Sequence, residues 1–301
     1  MVSGDTDHGY QNHYQQNPNK KMKKLNVFLI AMLFCSLIFS CKKTETTTPE
    51  LVCSLTSLDD GSGSGTIKFA YDANGKFLTG EIDGLPVKFD YTGSNISKVT
   101  YSDADATRTV AVMYDAQNRP ATAKKVYASK NFNFTSDYTV TYDANGRLST
   151  LKDDTKGDYA TILIHRLEYD TQGNVVKQYV KEDTRPEFVW VENSGFDGKK
   201  NQYKGIKLNP LTLFYEPLGL FGNQSESNAT VVKSRVTNFD AVGGFYNVDR
   251  KFVYGTYNEN GYPTAYTEDY TVEHVDFSDP TGTKKTKDVG NSKWTGIYSC
   301  K

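Results

Sequence analysis

His165 and His274 are the side chains of residues 51–301 that would titrate near neutrality, the kind of group on which acid–base catalysis usually relies. His165 keeps period-two phase with Leu163, Leu167 and Tyr169, which reads as a satisfied histidine on a packed sheet face rather than as a base. His274 sits beside Glu273 and Asp276, but strand alternation sends Glu273 to the opposite face, so no acid–base or metal pair assembles there. Asp72 and Asn74 are spaced like the first ligands of a calcium loop. The fifth position is Lys76, and Arg147 in the copy at Asp143, where an oxygen ligand is needed. Asp103 and Asp105 make a weaker pair of the same kind, and such pairs are usually solvated. The Gly61–Gly65 run reads as a flexible turn. No nucleophile elbow, phosphate loop or zinc-protease helix motif is present.

These residues supply no catalytic set, no metal site and no cofactor site, and the chain is expected not to be an enzyme. A hydrolase working through carboxylates alone stays open and would need two close, buried Asp or Glu in a cleft. Aromatic residues make up 13% of the chain, with 21 Tyr and 16 Phe. Cross-strand pairing in a sheet accounts for most of them. Trp190, in Phe188-Val-Trp-Val, and Trp294, in the last strand, are candidate ligand platforms that could stack on a glycan.

The elements that must position these residues repeat. An alternating strand ends in an aromatic, then Asp, a short Asn/Gly turn and a second strand: Tyr71-Asp-Ala-Asn-Gly75, Tyr114-Asp-Ala-Gln-Asn118, Tyr142-Asp-Ala-Asn-Gly146, Tyr169-Asp-Thr-Gln-Gly173 and Tyr257-Asn-Glu-Asn-Gly261. Degenerate copies begin at Tyr91, Phe196 and Phe239. Asp bonds the backbone two residues on, and Gly or Asn takes the left-handed conformation that closes a hairpin. The flanks alternate, as in Tyr138, Val140 and Tyr142 against Asp137, Thr139 and Thr141, so one face of the sheet is apolar. The expected fold is all-β, an antiparallel meander of about ten to fourteen strands whose twist curls it into a curved sheet or a partly closed barrel-like form. Residues 200–228 break the pattern. Asn209-Pro210 and the apolar run to Phe221 read as a short helix or a loop over the core, with a lid or docking patch as the sharper alternative.

Residues 22–40 have a basic start and an apolar run from Leu25 to Phe39, and end in small Ser40, which makes a secretory signal peptide too short for a span. Ile38-Phe39-Ser40-Cys41 resembles the lipobox of bacterial lipoproteins, with lipidation expected on Cys41. Residues 1–21 are polar and are expected to lie upstream of a true start at Met22. Residues 41–50 read as a flexible tether, and 51–301 as one β-rich domain. In an oxidising compartment Cys53 and Cys300 are a candidate disulfide, or stay as two separate thiols. Net charge is −1 with both signs mixed, which leaves no electrostatic case for nucleic acid.

The Tyr-Asp-x-x-Gly hairpins are similar to the tyrosine–aspartate repeats of bacterial toxin and adhesin shells, although they recur every 20 to 28 residues and in few copies. More closely, the lipidated signal, these hairpins and Phe196-Asp-Gly-Lys-Lys-Asn201 before an apolar stretch resemble a family of lipoproteins of unknown function with a porin-like fold. That resemblance implies a fold and an address and carries no catalytic residue. The expected protein is held in a bacterial outer membrane by its lipid, facing the periplasm or the surface, and acts by binding or scaffolding, with a glycan or an envelope protein as partner. A membrane-spanning barrel is the alternative, opposed by mid-strand charges and by the ending Tyr298-Ser-Cys-Lys301.

Overall fold

The computed structural model describes residues 53–59, 66–82, 84–158, 160–183, 185–201, 203, 224–238, 244–276 and 285–300. The segments read as signal peptide and tether, with Cys41, lie outside the described residues, as do most of the apolar 200–228 segment and the repeat at Phe239.

Every strand pairs antiparallel with the next. They run β1 (Cys53–Asp59), β2 (Ile67–Tyr71), β3 (Phe77–Ile82), β4 (Leu85–Thr92), β5 (Asn95–Ser102), β6 (Ala106–Tyr114), β7 (Pro120–Ser129) and β8 (Asn133–Tyr142). The second half comprises β9 (Leu148–Gly157), β10 (Thr161–Tyr169), β11 (Val175–Glu182), β12 (Phe188–Ser194), β13 (Val231–Asn238), β14 (Gly244–Tyr257), β15 (Pro263–Asp276) and β16 (Lys285–Cys300). The meander closes as β16 pairs with β1, Cys53 opposite Cys300, and the two cysteines form a disulfide. The all-β meander is as the alternation requires, but the barrel is fully closed and has sixteen strands, more than the repeats alone suggest. Tyr-Asp turns mark only one end of each hairpin. The opposite connections, such as Ser102 to Ala106 and Ser129 to Asn133, carry no shared motif and are easily missed.

Alternation sorts the residues. On β8, Ser136, Tyr138 and Val140 are buried inside while Thr139 and Thr141 are exposed outside. On β9, Leu151 and Thr155 point in and Lys152 and Lys156 point out. Along the barrel axis the interior is layered. The end bearing the Tyr-Asp turns, which also holds Cys53 and Cys300, is filled by Val110, Val112, Val140, Leu148, Leu151, Leu167 and Val175, with Tyr114, Tyr142 and Tyr169 packed against them. A second cluster of Ile82, Val87, Ile96 and Val99 gathers Phe69, Phe77, Phe89 and Tyr91, and a third joins Leu55, Leu58 and Tyr266. On β7–β11, Lys125, Ser136, Thr155, His165 and Gln178 are buried polar residues among these apolar ones.

Candidate functional site

The turns share one bond set. In the copy at Tyr142, Asp143 Oδ1 accepts from the backbone N–H groups of Asn145 and Arg147, and its Oδ2 accepts from the Arg147 guanidinium at 2.8 Å. Gly75, Asn118, Gly146, Gly173 and Gly261 all have positive φ, and Asn118 at φ 62° fills the place that glycine holds elsewhere. The guanidinium then lies over the tyrosine of the next copy, Arg119 over Tyr142 and Arg147 over Tyr169, at 4.1 and 4.4 Å. Four of the tyrosine hydroxyls donate backward to a carbonyl at the start of an earlier strand, Tyr91 to Phe77, Tyr114 to Ile96, Tyr142 to Pro120 and Tyr169 to Leu148, while Tyr257 donates to the Asp197 carboxylate. The carboxylates suggested as calcium ligands are therefore engaged by backbone N–H groups and arginine. Among the described residues no cluster of His, Cys, Asp and Glu is arranged to hold a metal ion. Asp103 is used in the same way, by the N–H groups of Asp105 and Ala106 and by Arg108.

The degenerate copy at Phe196 carries the 200–228 segment inside its turn. Asp197 N–H donates to the carbonyl of Asn228, and Asn228 donates from its backbone N–H to Asp197 Oδ1 and from Nδ2 to Oδ2. Asp170 and Asn174 make that same set within an ordinary turn. The base of the inserted segment is held in place: Ser227 N–H donates to Asn174 Oδ1, Val175 N–H donates to Ser225 Oγ, and Asn201 is buried. Tyr203 packs on the Leu55–Leu58–Tyr266 cluster.

A polar belt lines the lumen beyond the apolar layer. On β7–β9 it consists of Lys125, Ser136, Asp153 and Thr155, all facing inward; Ser136 and Thr155 share a hydroxyl hydrogen bond, and Thr155 Oγ1 donates to Asp153 Oδ1 at 2.8 Å. Burial raises the Asp153 pKa, opposed by hydroxyl hydrogen bonds and by Lys125. On β10–β12, His165 is 5% exposed, burial lowers its pKa to about 4, and Nδ1 pairs with Gln178 Nε2 at 3.2 Å. Trp190 packs on the His165 ring, with centroids 5.3 Å apart. On β13–β16, Arg250 Nε meets Glu268 Oε1 at 2.9 Å and an Arg250 Nη donates to Ser234 Oγ. Trp294 Nε1 donates to Glu268 Oε2 at 3.1 Å, and the Trp294 ring stacks on Tyr266. Nearer the opposite end Tyr246 stacks on His274, while Glu273 on the other face accepts from Asn247.

The two tryptophans thus both line the lumen but belong to separate groups, Trp190 with His165 and Trp294 with Arg250 and Glu268. The belt's charged members were not singled out from sequence. Their signal is a charge in apolar phase: Arg250 alternates with Tyr246, Val248, Phe252 and Tyr254, and Lys125 with Ala123 and Tyr127. Such a position must find a partner inside the barrel.

No protein-family model matches the chain, and no curated protein is significantly similar to it. Among solved structures the chain is similar to a porin-like protein from Bacteroides uniformis, at 10% identity and a TM-score of 0.46, over 81% of this chain and 98% of that one. It is also similar to a porin-like protein from Bacteroides vulgatus, at 13% identity and a TM-score of 0.44, over 81% of this chain and 98% of that one.

Proposed function

We propose that the protein is a water-immersed β-barrel held at the bacterial outer membrane by lipid on Cys41, and that it binds a ligand in its polar lumen without catalysing a reaction. The observation that carries this reading is the outer wall. At mid-strand it presents Lys124 on β7, Asp137 and Thr139 on β8, Lys152 and Asp154 on β9, and Asp249 and Lys251 on β14. A barrel that spans a bilayer carries an apolar band about 25 Å tall there, and each Lys at the midplane would cost about 2–4 kcal/mol. The lumen's carboxylates favour binding over hydrolysis: Glu268 is committed to Arg250 and Trp294, while Asp153 on the opposite run of strands sits among hydroxyls near Lys125.

The closed sixteen-strand topology favours a second reading, the membrane-spanning barrel, since closure is also what spanning sheets require. One experiment separates the two. Protein beginning at Lys42, exported with a leader that leaves no lipid, is expected to be soluble and monodisperse without detergent. Recovery only in detergent would overturn the water-immersed reading.

A further inference from the structure

We propose that the inner face of β14–β16 is a binding track for a neutral oligosaccharide, with the rings of Trp294 and Tyr270 as its stacking faces and the Arg250–Glu268 pair as its hydrogen-bonding centre. This rests on the lumen being the ligand site. Register places the parts. Tyr266, Glu268 and Tyr270 are successive inward residues of β15, and they lie opposite Trp294, Ser292 and Gly290 of β16; Arg250 of β14 lies opposite Tyr270. Inward positions on one strand are about 6.7 Å apart, so the Trp294 and Tyr270 levels are separated by roughly 13 Å, a span suited to a short chain of sugar rings.

Each part is held before any ligand arrives. Trp294 is fixed by stacking on Tyr266 and by its N–H on Glu268. Tyr270 reaches over Gly290, where a Cβ would collide with the phenol ring, so only glycine at that position leaves the ring its place on the inner face. Arg250 directs Nε to Glu268 and one Nη to Ser234, two of the five N–H donors that a guanidinium carries, and its side chain keeps 24% exposure.

Charge selects the ligand class. The Arg250 cation is matched by Glu268 at 2.9 Å, so an anion would have to displace Glu268 and a cation would have to displace Arg250. A pyranose has apolar C–H faces for the rings and hydroxyls for the donors and acceptors, and it carries no charge that would need neutralising.

The whole lipidated protein in nanodiscs is titrated calorimetrically with maltohexaose, cellohexaose, xylohexaose and mannohexaose as neutral probes. An oligogalacturonate and a chitosan oligomer serve as charged ones. At least one neutral hexasaccharide is expected to bind, and Trp294→Ala and Tyr270→Ala are each expected to weaken it about tenfold or more. Trp190→Ala is expected to leave it within about twofold. Should Trp294→Ala lose its fold by circular dichroism, Tyr270→Ala carries the test. Binding of charged oligomers alone, or neutral binding indifferent to the folded variants, overturns the track. If no saccharide binds but mass spectrometry finds another small molecule retained from envelope extract, the ligand class falls and the lumen reading stands. If nothing is retained, both fall.

Discussion

Asp197 and Asn228 stand 31 residues apart and make the hydrogen bonds that Asp170 and Asn174 make across four. The turn between β12 and β13 is thus an ordinary Tyr-Asp-type turn with a long segment inserted before its closing residue. β12 and β13 pair on their own account, from Val191 opposite Ser234 to Ser194 opposite Val231, so the barrel wall does not depend on the insertion.

Replacing residues 198–227 by Thr-Gln-Gly, the sequence between Asp170 and Asn174, is therefore expected to leave a folded barrel with native far-ultraviolet dichroism. Some stability is lost, because Val175 N–H loses Ser225 and the Leu55–Leu58 cluster loses Tyr203. Each such loss costs about 1–3 kcal/mol. A chain that no longer folds would show that the insertion helps to close the wall.

The backward bonds of the tyrosines give a second expectation. Tyr142→Phe removes only the hydroxyl that reaches Pro120 at 2.7 Å and keeps the ring under Arg119. It is expected to cost about 1 kcal/mol in urea unfolding. Pairing it with Tyr71→Phe, whose hydroxyl bonds the Leu55 carbonyl, should give additive losses, because the two sites share no partner. A cost near zero for both would mean that the ring contacts, and not the hydroxyls, join successive hairpins.

The hairpin tips were legible because local chemistry determines them: Asp followed by Gly or Asn at a fixed offset leaves the backbone few other choices. The inward faces were legible too, since period two sorts Tyr138 and Val140 from Asp137 and Thr139. Closure was only partly legible, because pairing β16 with β1 joins residues 247 apart and no local signal encodes it. The Phe196 copy looked degenerate for the same reason: its closing residue, Asn228, had been carried far along the chain. The lumen belt was legible only in single members such as His165 and Trp294, since Arg250, Glu268 and Trp294 meet only after three strands have aligned.

Cys53 and Cys300 lock that closure. In the chain-entropy picture a bridge spanning 247 residues restricts the unfolded chain by up to about 5 kcal/mol. Cys53→Ser with Cys300→Ser is expected to lower the denaturation midpoint markedly while the remaining β1–β16 ladder keeps the native spectrum. An unchanged midpoint in matched oxidised and reduced samples of the natural chain would show that the ladder alone holds the seam.

Acid should unfold the barrel in two stages, and the signs can be worked out group by group. His165 is held neutral by burial, with a pKa of about 4 against about 6.5 in the unfolded chain. Above pH 6.5 it is neutral in both states and contributes nothing. Between about 6.5 and 4 only the unfolded chain takes the proton, so stability falls as pH falls, by on the order of 3 kcal/mol in all. Asp153 opposes this: its raised pKa lets the folded state take a proton first, which adds stability as pH drops. Below about 4 the loop carboxylates take over. Arg108 first, then the N–H groups of Asp105 and Ala106, hold Asp103 at about 2, and a depressed carboxylate pKa gives stability that is lost as pH falls through it. His165→Gln keeps a polar partner for Gln178 but cannot titrate. Its midpoint is expected to hold or rise slightly from pH 7 to 4.5, as Asp153 dictates, where that of the natural chain lies progressively below it, and the two curves should then fall together below pH 4. Because Asp153 acts equally in both proteins, the difference between the curves isolates the histidine, and parallel curves from pH 7 to 4.5 would show that His165 is not the group responsible.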